Sequence, residues 1–335
     1  MKLAIAILNW NGLAHLQTFL PSVVEHSNEY PIFLIDNASS DGSVEWLKQA
    51  YPSIIPIVHE QNEGFCKGYN DGLSQIDSTY FVLLNSDVEV TEGWLDPILK
   101  ILDNDASVAA VQPKILSYSE KHLFEYAGAG GGQIDWLGYP FCRGRIFDTL
   151  EEDKGQYDDI TEIFWASGAC FFVRTDLFRV MGGFDENFFA HMEEIDLCWR
   201  LKNAGYKIMY CGQSTVYHLG GGTLHKSNSM KTFLNYRNGL LLLYKNLPQK
   251  RLFSTLFLRL VLDGIAGVEH FFKCRFDSVK AIWRAHNALY SFVYLDKISR
   301  KNDSNFESPH ILYKSIVWQY FIRGKKYYAE LKKVK

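Results

Sequence analysis

Three carboxylates fall within four positions of the stretch FFAHMEEIDLCWR: Glu193, Glu194 and Asp196, with Arg200 closing it. The neighbours are aromatic and apolar, so the charge sits where a core should lie. Ile195, Cys198 and Trp199 recur at helical spacing, which predicts a helix over 193–204 with these three facing inward. Asp196 and Arg200 are then one turn apart and can pair. Acids also favour a helix N-terminus. That accounts for one of the two glutamates, but not for both beside Phe188, Phe189 and Met192. A partly buried carboxylate here has the chemistry of a general base, able to take a proton from an incoming hydroxyl.

A second constellation is LLNSDVEV, where Asp87 follows a buried strand and Asn85 precedes it by two residues, on the same side. Oxygen ligands at a strand end suit Mg²⁺ or Mn²⁺, ions that bind substrate phosphates with few protein ligands. Asn-Ser-Asp is equally good turn chemistry. Both constellations need a scaffold. LAIAIL, IFLID, IIPIVH and FVLLNSD read as strands, with helices over GLAHLQTFLPSVVEH and VEWLKQAY between them and a Gly-rich turn, NEGFCKG, leading into YNDGLSQI. This alternation predicts an α/β fold with a parallel, doubly wound sheet. Ligands in such sheets sit beyond the carboxyl ends of the strands. The polar residues fall there: Asn9 and Asn11, then Asp36 and Asn37, then Asn85, Ser86 and Asp87. From about Ala127 the pattern loosens, and AGAGGGQIDWLGYPFCRGR reads as loop. YKIMYCGQSTVYHLGGGT reads as a strand ending at His218.

The chain has 335 residues, 47% of them hydrophobic, enough for two domains or for one large domain with an appendage. Its net charge of −3 hides a split: 14 Lys/Arg against 31 Asp/Glu up to His225, then 21 against 7 from Lys226 onward. The six cysteines show no CxxC pair and no metal-ligand spacing, and are expected to be reduced thiols of a cytoplasmic protein. The opening apolar run is too short for a signal peptide, and no apolar run is long enough to span a membrane.

The stretches AILNWNG, LIDNASSDGS, NEGFCKGYNDG, VLLNSDVEV, GGFDENFFAHMEEIDLCWRLKNAGYKI and YHLGGGT follow one another over roughly residues 1–225. Together they resemble an inverting family 2 glycosyltransferase of GT-A fold, of the bacterial rhamnosyltransferase-like kind. The resemblance implies a Rossmann-like, mostly parallel sheet flanked by helices over residues 1–225, with a C-terminal helical extension over 226–335. It implies metal-dependent, inverting transfer of a hexosyl or deoxyhexosyl group in surface polysaccharide biosynthesis. The sugar would pass from a nucleotide-diphosphate donor to a hydroxyl of a lipid-linked saccharide acceptor. Asp36 matches the acid that meets the nucleobase or ribose. Asn85 stands at the first position of the family's DxD-type motif and Asp87 at the last, the metal-binding one. Glu194 stands where the catalytic base is usually an Asp, with Glu193 as the alternative. His218 matches a histidine that some members use as a further ligand to Mn²⁺ or Mg²⁺. Asn62 and Gly64 match the loop near the nucleoside, and Asn9, Asn11 and Ser86 complete the expected nucleotide-sugar set. Lys67, in the same stretch as Gly64, is either a phosphate contact or a solvated loop lysine. Trp165 is a stacking platform for acceptor sugar or a core tryptophan.

In the basic rear, residues 252–273 place Thr255, Arg259, Asp263, His270 and Lys273 on one side of a helical wheel. Phe253, Phe257, Leu260, Val261, Val268 and Phe271 fall on the other. Such a helix can lie in a bilayer interface or dock on the catalytic part. With the basic tail RGKKYYAELKKVK it predicts peripheral attachment to the cytoplasmic face of the plasma membrane. No nucleic-acid motif is present, and nucleic acid is not an expected partner. The absence of a basic Gly-rich loop after the first strand speaks against a sugar nucleotidylyltransferase, and the absence of QxxRW against a processive synthase. A non-catalytic nucleotide-sugar binder or membrane adaptor of the same fold is the alternative.

Overall fold

The computed structural model describes residues 1–27, 29–220, 229–295, 300 and 311–332. The last glycines of YHLGGGT, the expected boundary at 225 and the final basic residues of the tail lie outside these. In chain order the elements are β1 (Leu3–Asn9), α1 (Leu13–Glu25), β2 (Ile32–Asp36), α2 (Ser43–Ala50), β3 (Ile55–Val58) and α3 (Gly64–Ser74). Next come β4 (Tyr80–Asn85), β5 (Val88–Val90), α4 (Asp96–Asn104), β6 (Val108–Ser117) and the short strands β7 (Gly132–Asp135), β8 (Pro140–Cys142), β9 (Arg145–Ile146) and β10 (Thr149–Leu150). The chain continues through β11 (Ile160–Ile163), β12 (Cys170–Arg174), α5 (Thr175–Val180), α6 (Glu193–Asn203) and β13 (Lys207–His218). Last are α7 (Ser229–Asn246), α8 (Gln249–Phe272), α9 (Phe276–Tyr294), β14 (Ile311–Leu312) and α10 (Tyr328–Lys332).

The main sheet runs β11-β13-β6-β12-β4-β1-β2-β3, with β5 added on β13. It is parallel through β4-β1-β2-β3. Beyond that it is mixed, because β12 lies antiparallel between β4 and β6. Alternating residues of each strand feed separate cores on the two faces. Ala4, Ala6, Phe81 and Leu83 join one cluster, Leu3, Ile5, Val82 and Leu84 the other. Both faces are covered, so these strands read as continuous apolar runs. Register sets the site: Asn9 lies opposite Asp36, and Leu8 opposite Asn85, so three polar strand ends finish level. On the far side β5 pairs with β13 so that His218 faces Val88, which brings the histidine back beside Asp87.

Two expectations are revised. The Gly-rich stretch after Ala127 is not loop: β7–β10 form a meander that β14 joins from the C-terminal part as a second sheet, β10-β9-β8-β7-β14. Strands this short leave no readable period. The NEGFCKG turn is already helical from Gly64. Among the described residues no helix is long and apolar enough to cross a membrane.

Candidate active site

The carboxyl ends of β1 and β2 form a polar lattice. Asn9 Nδ2 donates to Asp36 Oδ1 at 2.8 Å and reaches Ser39 Oγ and Ser43 Oγ at 3.1 and 3.0 Å. Asp36 Oδ1 also accepts from Ser39 Oγ at 2.6 Å, and Oδ2 from Ser39 N–H at 2.8 Å. Asn11, in the left-handed region at φ 49°, accepts from Ser40 N–H at 2.8 Å and donates its own N–H to Ser39 Oγ. Asp36 is wholly buried, so the carboxylate fastens the loop after β2 to β1. Asn37 Nδ2 extends the lattice to Gly64 O at 2.8 Å, and exposed Asn62 accepts from Gly64 N–H at 2.9 Å. Gly64 has φ +78°, and a Cβ there would stand 2.8 Å from the Phe189 ring. Only glycine permits both the turn and that approach.

A buried charge cluster occupies the end of β4. His218 Nε2 lies 3.2 Å from Asp87 Oδ1 and 3.4 Å from Asn85 Nδ2. Nδ1 lies 3.5 Å from Glu125 Oε1, an ion-pair contact out of hydrogen-bond alignment. Burial pulls the His218 pKa down, but Glu125 and Asp87 outweigh it and push it up to about 10. Burial raises both carboxylates, yet the His218 charge holds Asp87 and Glu125 below their ordinary values. Among the described residues no three His, Cys, Asp or Glu side chains enclose an ion. Asp87 Oδ1 and His218 Nε2 nevertheless stand at the spacing of neighbouring ligands in an octahedron with bonds of about 2.1 Å, whose edge is about 3.0 Å. The pair fits Mg²⁺ or Mn²⁺ that draws its remaining ligands from phosphate and water.

The acids of α6 complete the site. Three left-handed residues precede them: Phe189 (φ 64°), His191 (φ 69°) and Met192 (φ 71°). Such backbone is costly and persists only where its surroundings hold it. Helix α7 does the holding. Asn238 Nδ2 donates to Phe188 O, Ala190 O and His191 O at 3.1, 2.8 and 2.6 Å, and Arg237 Nη2 to Asn187 O and Phe188 O at 3.0 and 2.7 Å. Glu193 Oε2 and Glu194 Oε2 are both buried without a hydrogen-bond partner. Burial, then the charge of Glu194, pushes the Glu193 carboxyl well above the ordinary range. Burial pushes Glu194 up to about 7 against backbone hydrogen bonds, and the two titrate as a pair. A Cβ on Gly168 would lie 4.0 Å from both Glu193 Oε1 and Glu194 Cβ, and the next residue, Ala169, accepts from Asn85 N–H at 3.0 Å. One short segment thus joins the acid pair to the end of β4.

The model of the family described as "Glycosyl transferase family 2" matches residues 4–180, more than half of the chain. Rhamnosyltransferase WbbL of Escherichia coli (strain K12) is 32% identical over 260 residues, covering 75% of this chain and 94% of that protein. The chain belongs to glycosyl transferase family 2. The N-acetylglucosaminyl-diphospho-decaprenol L-rhamnosyltransferase of Mycobacterium tuberculosis (strain CDC 1551 / Oshkosh) is 26% identical over 245 residues, 68% of this chain and 77% of that one. A solved mannosyltransferase from Pyrobaculum calidifontis, in complex with GDP-Man and Mn²⁺, shares the fold: TM-score 0.53, 12% identity, 87% of this chain and 75% of that chain. The chain is thus a glycosyltransferase with a GT-A α/β fold and a C-terminal helical region. Glu193, Glu194 and His218 lie beyond the span of the family model, so their assignment rests on geometry.

Within this glycosyltransferase some expected residues take other places. Trp165 is a core side chain, 5% exposed, with its indole N–H on Gln133 O at 2.8 Å and its ring against Gly132. It offers no open face for an acceptor sugar. Lys67 is neither loop nor unpaired: it lies on α3, bonded to Asp71 one turn on and 3.9 Å from Glu63. Ser86 lies beside the β1–α1 turn, where a Cβ on Gly12 would be 3.6 Å from Ser86 Oγ. The residue that sequence reasoning missed is Glu125. It sits in the segment after β6, where no spacing ties an acid to a histidine so far along the chain.

Proposed function

We propose that this glycosyltransferase moves a sugar, with inversion, from a nucleotide-diphosphate donor to a hydroxyl of a lipid-linked saccharide acceptor at the cytoplasmic face of the membrane, in surface polysaccharide biosynthesis. The observation that carries it is the unpartnered acid pair Glu193/Glu194, joined through Gly168–Ala169 to the Asn85–Asp87–His218 cluster. A buried carboxylate with raised proton affinity and a free oxygen is equipped to take the acceptor's hydroxyl proton. Glu194, the less buried of the two, is the base. Glu193 keeps its proton and can donate a hydrogen bond to the acceptor or to Glu194. Attack from the side of the base displaces the diphosphate from the opposite face of the sugar, with no covalent intermediate.

Asp87 and His218 would hold Mn²⁺ or Mg²⁺, which when bound neutralises the diphosphate as it leaves. Glu125, facing the far nitrogen of His218, fixes which nitrogen points at Asp87. Asn9, Asn11, Asp36, Asn62, Gly64 and Ser86 shape the donor crevice at the strand ends, Asp36 by fastening the loop on which a nucleoside would lie. The catalytic unit is residues 1–225, braced by α7 from the extension. The lipid-linked acceptor draws support from the decaprenol named for the mycobacterial relative. The test is a thermal-shift screen of nucleotide diphosphates and nucleotide sugars with and without Mn²⁺, followed by turnover with the donor found and the anomeric configuration of the product read by NMR. No shift with any nucleotide removes the reading, and retention of configuration removes the direct displacement.

A further inference from the structure

In α8 the fully buried side chains are polar and the most exposed ones apolar, whereas α9 buries Ala281, Ile282, Ala285 and Leu289. The side chains that α8 buries are Thr255, Arg259 and Asp263. Arg259 Nε pairs with Asp263 Oδ1 at 3.0 Å, its Nη1 reaches Leu137 O at 3.2 Å, and Tyr139 O–H donates to Asp263 Oδ1 at 3.1 Å. The guanidinium lies 3.7 Å from the centre of the Tyr139 ring, and His286 of α9 stands 3.6 Å from Asp263 Oδ2. The opposite face carries Phe253, Phe257, Val261, Ile265, Val268 and Phe272, between 45% and 84% exposed. By helical rise that strip is about 28 Å long. From Leu252 to Val268 no exposed residue of α8 is charged. A water-facing helix of a globular protein has the reverse arrangement, and apolar patches this large on a protein surface mark contact with something.

Charge decides what covers it. Lys250 and Arg251 lie exposed at one end of the strip; at the other, exposed Lys273 pairs with Glu269, and Arg275 stands beside Asp277. The exposed side of α9 sets Lys280 and Arg284 among Phe276, Trp283, Tyr290 and Tyr294. Aromatic rings and basic side chains around an apolar strip match a bilayer's headgroup zone. A second copy of this chain would bring one strongly basic rear against another, 21 Lys/Arg to 7 Asp/Glu in each, which disfavours self-association.

We infer that the outer face of α8, framed by the aromatic and basic residues of α9, inserts into the interface of an anionic bilayer, leaving the Arg259–Asp263 pair on the protein side. The inference deepens the lipid-linked acceptor reading above, but its test does not depend on turnover. Both helices pack on α7, the helix that holds the segment before Glu193, so insertion would present the site to an acceptor rooted in the same leaflet.

The test is sedimentation of the full chain with phosphatidylcholine vesicles and with vesicles containing phosphatidylglycerol. Binding is expected to anionic vesicles, weakened but not abolished by high salt, since apolar burial remains when charge is screened. The triple variant F253S/F257S/V261S, altered only on the exposed face, should lose about tenfold or more of that partitioning while its Mn²⁺-dependent thermal shift with nucleotide is unchanged. A second measurement needs no change of sequence. Cys274, in the α8–α9 turn, is the exposed one of the six cysteines. An environment-sensitive fluorophore on it should shift to the blue when anionic vesicles are added. Failure to sediment with any vesicle, undiminished binding by the triple variant, or an unshifted fluorophore would overturn the inference. So would sedimentation velocity showing a dimer that F257S dissociates. A protein that binds vesicles but no nucleotide would keep the inference and remove the transferase reading.

Discussion

Two buried carboxylate sites lie within one turn of α6 and are treated in opposite ways. Asp196 is wholly buried and fully compensated: Oδ2 accepts from Arg200 Nε at 2.8 Å and Lys245 Nζ at 2.9 Å, and Oδ1 from Asn246 Nδ2 at 2.8 Å. Burial raises its pKa, but Arg200, Lys245 and Asn246 more than reverse that and hold it below the ordinary value. Glu193 and Glu194 receive no such partners at their buried Oε2 atoms. Burial is common to both sites, so burial alone does not mark function. What separates them is that α7 sends Lys245 and Asn246 to the Asp196 carboxylate, whereas its Arg237 and Asn238 bond backbone carbonyls before the glutamates. A protein shaped for stability alone would not leave two adjacent acids unpaired.

The strongest way to break the comparison is Glu194→Gln. If Glu194 is the base, kcat should fall by about 10² to 10⁴, with nucleotide affinity and far-UV spectrum unchanged. Glu193→Gln should cost less. The reverse ranking would hand the role of base to Glu193, and loss from neither would make the pair structural. Asp196→Ala tests the other side. It takes one partner from Arg200, which keeps Met181 O and Gly183 O, and one from Lys245, which keeps Asp185, and should cost about 1–3 kcal/mol of stability, seen as a lowered denaturant midpoint. Little change there would mean that the Asp196 network is ornamental and the contrast empty.

Glu125 gives a smaller effect of a third kind. Glu125→Gln removes the charge facing His218 Nδ1 while keeping the shape. If Glu125 orients the histidine for an ion, Mn²⁺ affinity measured calorimetrically in the presence of nucleoside diphosphate should fall by about 10- to 100-fold. Unchanged affinity would leave Glu125 as packing.

Most of this was legible where one element carries its own signal. The helix from Glu193, its inward Ile195, Cys198 and Trp199, and the Asp196–Arg200 pair all follow from spacing, and the structure has them. The strand ends bearing Asn9, Asp36 and Asn85 were readable for the same reason. What could not be read depends on contacts across the chain. Glu125 meets His218 only because β6 and β13 are neighbours. Trp165 is packed because the Gly132 backbone closes over it. The wheel of α8 put Thr255, Arg259 and Asp263 on one side, and the structure buries all three, while Lys273, grouped with them, lies exposed past the helix end; a wheel does not tell which face the protein covers. That answer came from Arg259 and Asp263 lying against Leu137 and Tyr139.

The finest contrast between the two sites is the sign of their pH dependence. Glu194 has its folded pKa raised from 4.5 to about 7. Between those values the folded state holds a proton that the unfolded chain has lost, so stability falls as pH rises through the window and stays lower above it. Asp196, held below its ordinary value, contributes stability above that value and loses it as pH falls. Glu194→Gln cannot ionise. It should therefore be more stable than the parent at pH 8 by about 1–2 kcal/mol, a figure discounted for partial exposure and for coupling to Glu193, and equal to it near pH 4. The parent's kcat/KM should rise with pH through about 7 as the base ionises. Urea midpoints of both proteins at pH 5 and pH 8 measure the stability part. A substitution that stabilises the fold at the pH where it removes activity is what an acid kept unpaired for catalysis must give. Equal destabilisation at both pH values would mean that Glu194, like Asp196, is there for the fold.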